Sequence, residues 1–240
     1  MRPLLLAAAL LAAPALAQAP ADTLDLAPGD GTLITDWVTP GTRDYTIRLV
    51  QPVTQNVGTA SETITVDGGV VTRVTKVAIP MQGVEQTDSL TADAATLAPL
   101  THSSTGGAVE ASLEFMDEGV VGVLTPATGE AQTVTLMTDA PVFDSAWIGE
   151  IAQSLPLTEG TVVRVPAFAN QSPEAPIEAV LTVGAEETAT TAAGDRPAIS
   201  LEADLGTMRA TYVVDAETRE LLVTRFSPQP GVVIEIAPAE

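Results

Sequence analysis

The 240-residue chain carries 31 Asp and Glu against 10 Lys and Arg, a formal charge of −21, and a field of that sign repels phosphate backbones and anionic lipid headgroups. It has no cysteine and a single histidine, which excludes disulfides, thiolate nucleophiles and histidine-rich metal clusters. Only 3% of its residues are aromatic, so ring-stacking sugar sites find little material and stability has to come from an aliphatic core.

At the start of the chain, Arg2, the apolar run Leu4–Ala13 and the small-x-small site Ala15-Leu16-Ala17 read as a signal peptide over residues 1–17, cleaved before Gln18. The run is too short to span a membrane, and without cysteine the site is not a lipoprotein site. The expected product is exported and soluble, in the periplasm or outside the cell, with neither a lipid anchor nor a membrane span. Residues 18–42 are rich in Pro, Gly and Asp and are expected to be a loose entry segment that becomes ordered near Trp37 or Tyr45.

From residue 43 to 237 the pattern predicts one continuous β domain. Tyr45, Ile47 and Leu49 alternate with Thr46 and Arg48, and Glu62, Ile64 and Val66 alternate with Thr63 and Thr65. Asp67-Gly68 signals a tight hairpin into Val70–Ile79. Strands are expected near Val84–Leu90 and Leu97–Ser104, with Gly106-Gly107 as a turn. Val109, Ala111, Leu113 and Phe115 then face one way, Glu110, Ser112 and Glu114 the other, before a turn at Asp117-Glu118-Gly119. Val120–Leu124 and Thr133–Met137 complete the first block.

The apolar period changes between Asp139 and Gly160. Phe143, Trp147, Ile148, Ile151 and Leu155 fall on one helical stripe, Asp144 can cap its start, and Pro156 stands where a helix should stop. One amphipathic helix near residues 144–155 in a strand-rich chain must bury that stripe against a sheet. A second block of strands follows: Val162–Ala167, Ile177–Val183, Ile199–Leu205, Ala210–Val214, Leu221–Phe226 and Val232–Ile236, with Asn170–Pro176 as a loop. The predicted class is all-β: a curved antiparallel sheet, a half-open barrel, with the amphipathic helix on its concave side.

Three stretches carry a family likeness: Leu97-Ala98-Pro99-Leu100; the helix leading into Leu155-Pro156-Leu157-Thr158-Glu159-Gly160; and Tyr212-Val213-Val214-Asp215 with Thr218-Arg219-Glu220-Leu221-Leu222. Together they resemble an uncharacterised family of exported bacterial proteins, known only as a domain of unknown function, that is similar to the half-barrel lipoprotein-sorting carriers. The resemblance implies a half-open antiparallel barrel whose concave face holds a helix and, in the carriers, an acyl chain. It implies no catalytic residues.

The chemistry-bearing residues point the same way. Ser103 next to His102 points to the opposite face of a strand, and no nucleophile elbow or phosphate loop is present, so His102 reads as an ordinary surface or strand-end residue. Asp117-Glu118 and Glu186-Glu187 sit beside turns, where solvated acidic pairs are common, and Asp25–Asp36 lacks the ligand spacing of a calcium loop. No metal or cofactor is expected. The favoured function is a non-catalytic envelope protein that binds a lipid or other apolar molecule, or a partner protein, on its concave face. Trp147, Ile148 and Ile151 would line one wall of that face, with Leu113 and Phe115 opposite. The alternative is a carboxylate-dependent hydrolase acting on an envelope polymer.

Overall fold

Period-two alternation produces strands wherever it was read, and the strands join into one sheet rather than two. The computed structural model describes residues 22–191, 194–206 and 208–239. The predicted signal peptide lies outside them.

The strands are β1 (Thr23–Asp25), β2 (Gly41–Gln51), β3 (Gln55–Asp67), β4 (Val70–Ile79), β5 (Val84–Asp93), β6 (Pro99–Thr105), β7 (Val109–Met116), β8 (Gly119–Pro126) and β9 (Gln132–Met137). After the two-residue β10 (Phe143–Asp144) and the helix α1 (Ile148–Ser154) come β11 (Val162–Phe168), β12 (Ile177–Thr191), β13 (Gly194–Asp204), β14 (Arg209–Asp215), β15 (Leu221–Gln229) and β16 (Val232–Pro238). Their order across the sheet is β1-β11-β12-β13-β14-β15-β16-β2-β3-β4-β5-β6-β7-β8-β9, with β10 also on β11. The pairing of β16 with β2 welds the two blocks, and only β1 and β10 run parallel to their neighbour. Among the described residues β9 is not bonded to the opposite end of the sheet, so the barrel is open.

The sheet has to curl. Strands β14 and β4 are five neighbours apart, which is about 24 Å in a flat sheet at the usual strand spacing. Yet Val71 on β4, Leu90 on β5 and Tyr212 and Val214 on β14 share one buried cluster with Trp147, Ile148 and Ile151. A helix is only about 10 Å wide, so both arms of the sheet wrap around it. The helix therefore occupies the concave side.

Local chemistry sets the turns and the helix ends. The β3–β4 hairpin turns on Gly68 and Gly69, both at positive φ (57° and 83°), one residue beyond the Asp67-Gly68 pair read from sequence. Two consecutive left-handed residues give the mirror-image turn that suits the strand twist. At the helix start, the Ala146 amide donates to Asp144 Oδ1 at 2.8 Å, and a 3₁₀ turn over Ser145–Trp147 leads into α1. Leu155 is already extended ahead of Pro156. Arg219 then donates to the carbonyls of Gln153 and Leu155 at 3.1 and 2.5 Å, satisfying the helix C-terminus.

The entry segment differs from expectation. Leu26 and Leu33 are buried in the core that holds the helix, the Ile34 amide donates to the Ser154 carbonyl at 2.8 Å, and Trp37 Nε1 donates to Ser154 Oγ at 2.9 Å. Between its turn residues the segment has enough apolar anchors to pack, although they lack any period that a sequence reading would register.

Candidate functional site

An inner sheet face that encloses an apolar helix should be apolar, and most of it is. The exceptions fall together. Register aligns Glu62, Thr75, Asp88 and Ser104 in one row across β3–β6, and Arg73, Leu90, His102 and Leu113 in the adjacent row. Two residues along each strand is the same face, so Asp88 shares the side of Leu90, and Ser104 the side of His102. The first turn of the helix segment, Asp144–Ala146, sits over this polar patch. Between them lies an open cleft of about 310 Å³, lined also by Ala108, Val109, Asn170 and Gln171.

His102 is the centre of the cleft. It is 5% exposed, and its Nδ1 lies 2.7 Å from Asp144 Oδ2. Asp144 thus holds the imidazole with one oxygen and caps the helix segment with the other. Burial pushes the imidazole pKa down, but the bond to Asp144, the close approach of Asp88 and the charges of both carboxylates outweigh it and raise it to about 9. The ring is therefore a cation at neutral pH, with both nitrogens as donors. Its Nε2 has no hydrogen-bond partner within the described residues; the nearest carboxylate oxygen, Asp88 Oδ1, stands 3.8 Å away.

Asp88 is engaged from its other side, where Gln86 Nε2 donates to Oδ2 at 2.7 Å. Burial pushes its pKa up, but the close approach of His102, the bonds from Ser104 and Gln86, and the charge of His102 hold it below its ordinary value. It stays ionised.

Arg73 forms the floor. Its guanidinium pairs with Glu150 of the helix, donates to the Ala146 carbonyl at 2.8 Å and lies 5.0 Å from the Trp147 ring centroid. Burial opposes its charge, but Glu150 and Glu62 hold it protonated. Glu62 itself is pushed up, first by burial and then by repulsion from Glu150. Arg73 Nε, like His102 Nε2, has no hydrogen-bond partner among the described residues.

The sequence-predicted wall residues lie elsewhere. Trp147, Ile148 and Ile151 are at most 1% exposed and belong to the central core. Leu113 and Phe115 belong to a separate cluster with Phe168 and Val142, under β7–β9. They pack instead with Phe168 at the end of β11, whose ring stands edge-on to Phe115 at 6.1 Å, in a cluster that does not include Trp147.

The reading of His102 as a surface or strand-end residue is corrected by its burial and its bond to Asp144. One signal was available: Gln86 and Asp88 continue the face of Leu90 and Ala92, so polar residues interrupt an apolar row. The partner, Asp144, lies 42 residues away and no spacing announces it.

A larger hollow of about 590 Å³ lies around Asp44, Ser61, Lys76 and Thr87. Register puts those four residues on the face opposite to Glu62 and Asp88, and no buried unpartnered group lines it. The chemistry is therefore in the smaller cleft. No group of three or more His, Asp or Glu side chains among the described residues is arranged to hold a metal ion.

A family model described as a protein of unknown function, DUF3108, matches residues 44–237. Among solved structures, a β-barrel-like protein of the domain of unknown function DUF1849 from Brucella abortus superposes with a TM-score of 0.54 at 12% identity, covering 85% of this chain and 97% of that one. A protein from Bacteroides fragilis, described as exported and with a YmcC-like fold, matches with a TM-score of 0.27 at 8% identity, over 82% and 92% of the two chains. No curated protein matches the sequence. The first superposition supports the barrel-like architecture.

Proposed function

The chain belongs to DUF3108, a family of unknown function, and on that footing we propose that it is an exported, non-catalytic binding module that takes a small ligand into the concave-face cleft beside the helix. One observation carries the reading. His102 Nε2 is a buried donor with no hydrogen-bond partner among the described residues, in the lining of a cleft of about 310 Å³. A buried donor normally has a partner, because leaving it unpaired costs roughly 1–3 kcal/mol.

The signal-peptide pattern at residues 1–17 supports export. No helix among the described residues is long and apolar enough to cross a membrane. The apolar stripe of the helix is consumed by the core, so it stiffens the cleft rather than lining it.

Ala108 is exposed at the mouth, so Ala108→Trp should plug the cleft without touching the charged network. The test is denaturing mass spectrometry of gently purified wild type and variant. A small molecule that accompanies the wild type and is lost in Ala108→Trp supports the binding module. Turnover in a hydrolase screen that disappears in Asp88→Asn would instead favour the carboxylate-dependent hydrolase.

A further inference from the structure

The charges around the cleft restrict what it can hold. Arg73, His102, Asp88 and Asp144 all line it, and with Glu150 behind Arg73 the two cations face three carboxylates, of which Asp88 is the one without a cation at hydrogen-bonding distance. Asp144 and Glu150 already neutralise His102 and Arg73 at hydrogen-bonding distance. An anionic ligand would meet Asp88, and a cationic one would meet the imidazolium. An anionic guest is therefore repelled by Asp88, and a cationic one leaves the His102 Nε2 donor without an acceptor.

A neutral guest meets a matched pair. His102 Nε2 donates and Asp88 Oδ1 accepts, and they are 3.8 Å apart, too far to bond each other. A single oxygen about 2.8 Å from each would complete both bonds at their usual length, once the side chains around the buried Nε2 part enough to admit it. Such an atom has to accept from nitrogen and donate to a carboxylate. A hydroxyl does both, whereas a carboxylate or phosphate oxygen cannot donate and an ammonium cannot accept. Ser104, Ser145, Asn170 and Gln171 add neutral polar groups around the same space, which suits a ligand bearing several hydroxyls.

We propose that the cleft binds a neutral, polyhydroxylated molecule, one of whose hydroxyl groups bridges His102 Nε2 and Asp88 Oδ1. This assignment rests on the binding-module reading and names its ligand class. Because the lining residues include no Phe, Tyr or Trp, recognition rests on hydrogen bonds rather than on stacking against those rings.

His102 is the only histidine, so its imidazole nitrogens give unique resonances in nitrogen-15 NMR of the full exported chain. Glycerol, glucose and N-acetylglucosamine would be titrated as neutral hydroxylated probes, against acetate, inorganic phosphate and methylammonium at constant ionic strength. The expected result is a saturable shift of the Nε2 resonance with at least one hydroxylated probe and none with the ions. Asp88→Ala should weaken that binding by about tenfold, the loss of one charge-assisted bond, and Ala108→Trp should abolish it.

If the ions saturate the site and the hydroxylated probes do not, the ligand class is wrong while the binding module stands. If hydroxylated probes give only linear, non-saturating shifts, the gap is a water site and the assignment falls. If no probe shifts Nε2 and no molecule accompanies the wild type, both readings fall together.

Discussion

His102 Nδ1 and Asp144 Oδ2 stand 2.7 Å apart, tying a mid-sheet strand to the first turn of the helix segment across 42 residues of chain. The bond makes stability depend on pH. His102 rises from an ordinary 6.5 to about 9 in the folded state, so the fold binds the proton more tightly than the unfolded chain does. The resulting stabilisation is fully present below the unfolded value and is lost as pH rises through the folded one. Stability, read from the denaturant midpoint, should therefore fall between about pH 6.5 and pH 9, by at most roughly 3–4 kcal/mol. Asp144→Asn keeps an oxygen for the cap, and should flatten that slope and lower the imidazole pKa in the NMR titration. A midpoint that is level across this window contradicts the pairing.

Arg73 and Glu150 form a buried pair between β4 and the helix. Removing one partner leaves the other charge buried alone, so Arg73→Met should cost roughly 3–5 kcal/mol in chemical denaturation. The double variant Arg73→Met with Glu150→Gln should recover a large part of that loss, because the orphaned charge goes with it. Additive losses would show that the pair is not coupled.

Trp147 is 1% exposed and packed with Phe143, Ile148 and Ile151. Trp147→Ala should cost roughly 3–5 kcal/mol, through lost burial and the lost contact with Arg73. Uptake of an apolar fluorescent probe by the wild type, together with near-neutral stability of the variant, would return the helix stripe to the role of a ligand wall.

Export makes a separate expectation. Intact-mass analysis of the product recovered outside the cytoplasm should show Gln18, open or cyclised, as the first residue; a retained Leu4–Ala13 run would contradict it.

The strands and the helix were legible because burial of one face imposes a period that the chain has to spell out. The clean alternation of Val109–Phe115 forms β7, and Asp144, Leu155 and Pro156 mark the helix segment as the structure has it. The regular α-helix is shorter than the stripe, at seven residues, because a 3₁₀ turn replaces its first part. Strand β1 and the anchors Leu26 and Leu33 were missed, since three residues of strand and two isolated leucines have no period. The cleft was missed for a deeper reason. Its members come from β4, β5, β6 and the helix segment, and only the register and the curl of the sheet bring Arg73, Asp88, His102 and Asp144 together. The poverty in histidine that argued against catalysis also hid the fact that the one histidine is buried and held.

The most direct test of the cleft as a ligand site is a high-resolution crystal structure of the protein purified gently from its native envelope. The expected result is continuous non-solvent density in the cleft, with one oxygen within hydrogen-bonding distance of both His102 Nε2 and Asp88 Oδ1. Isolated water peaks alone, or a side chain folded into the space, would contradict it.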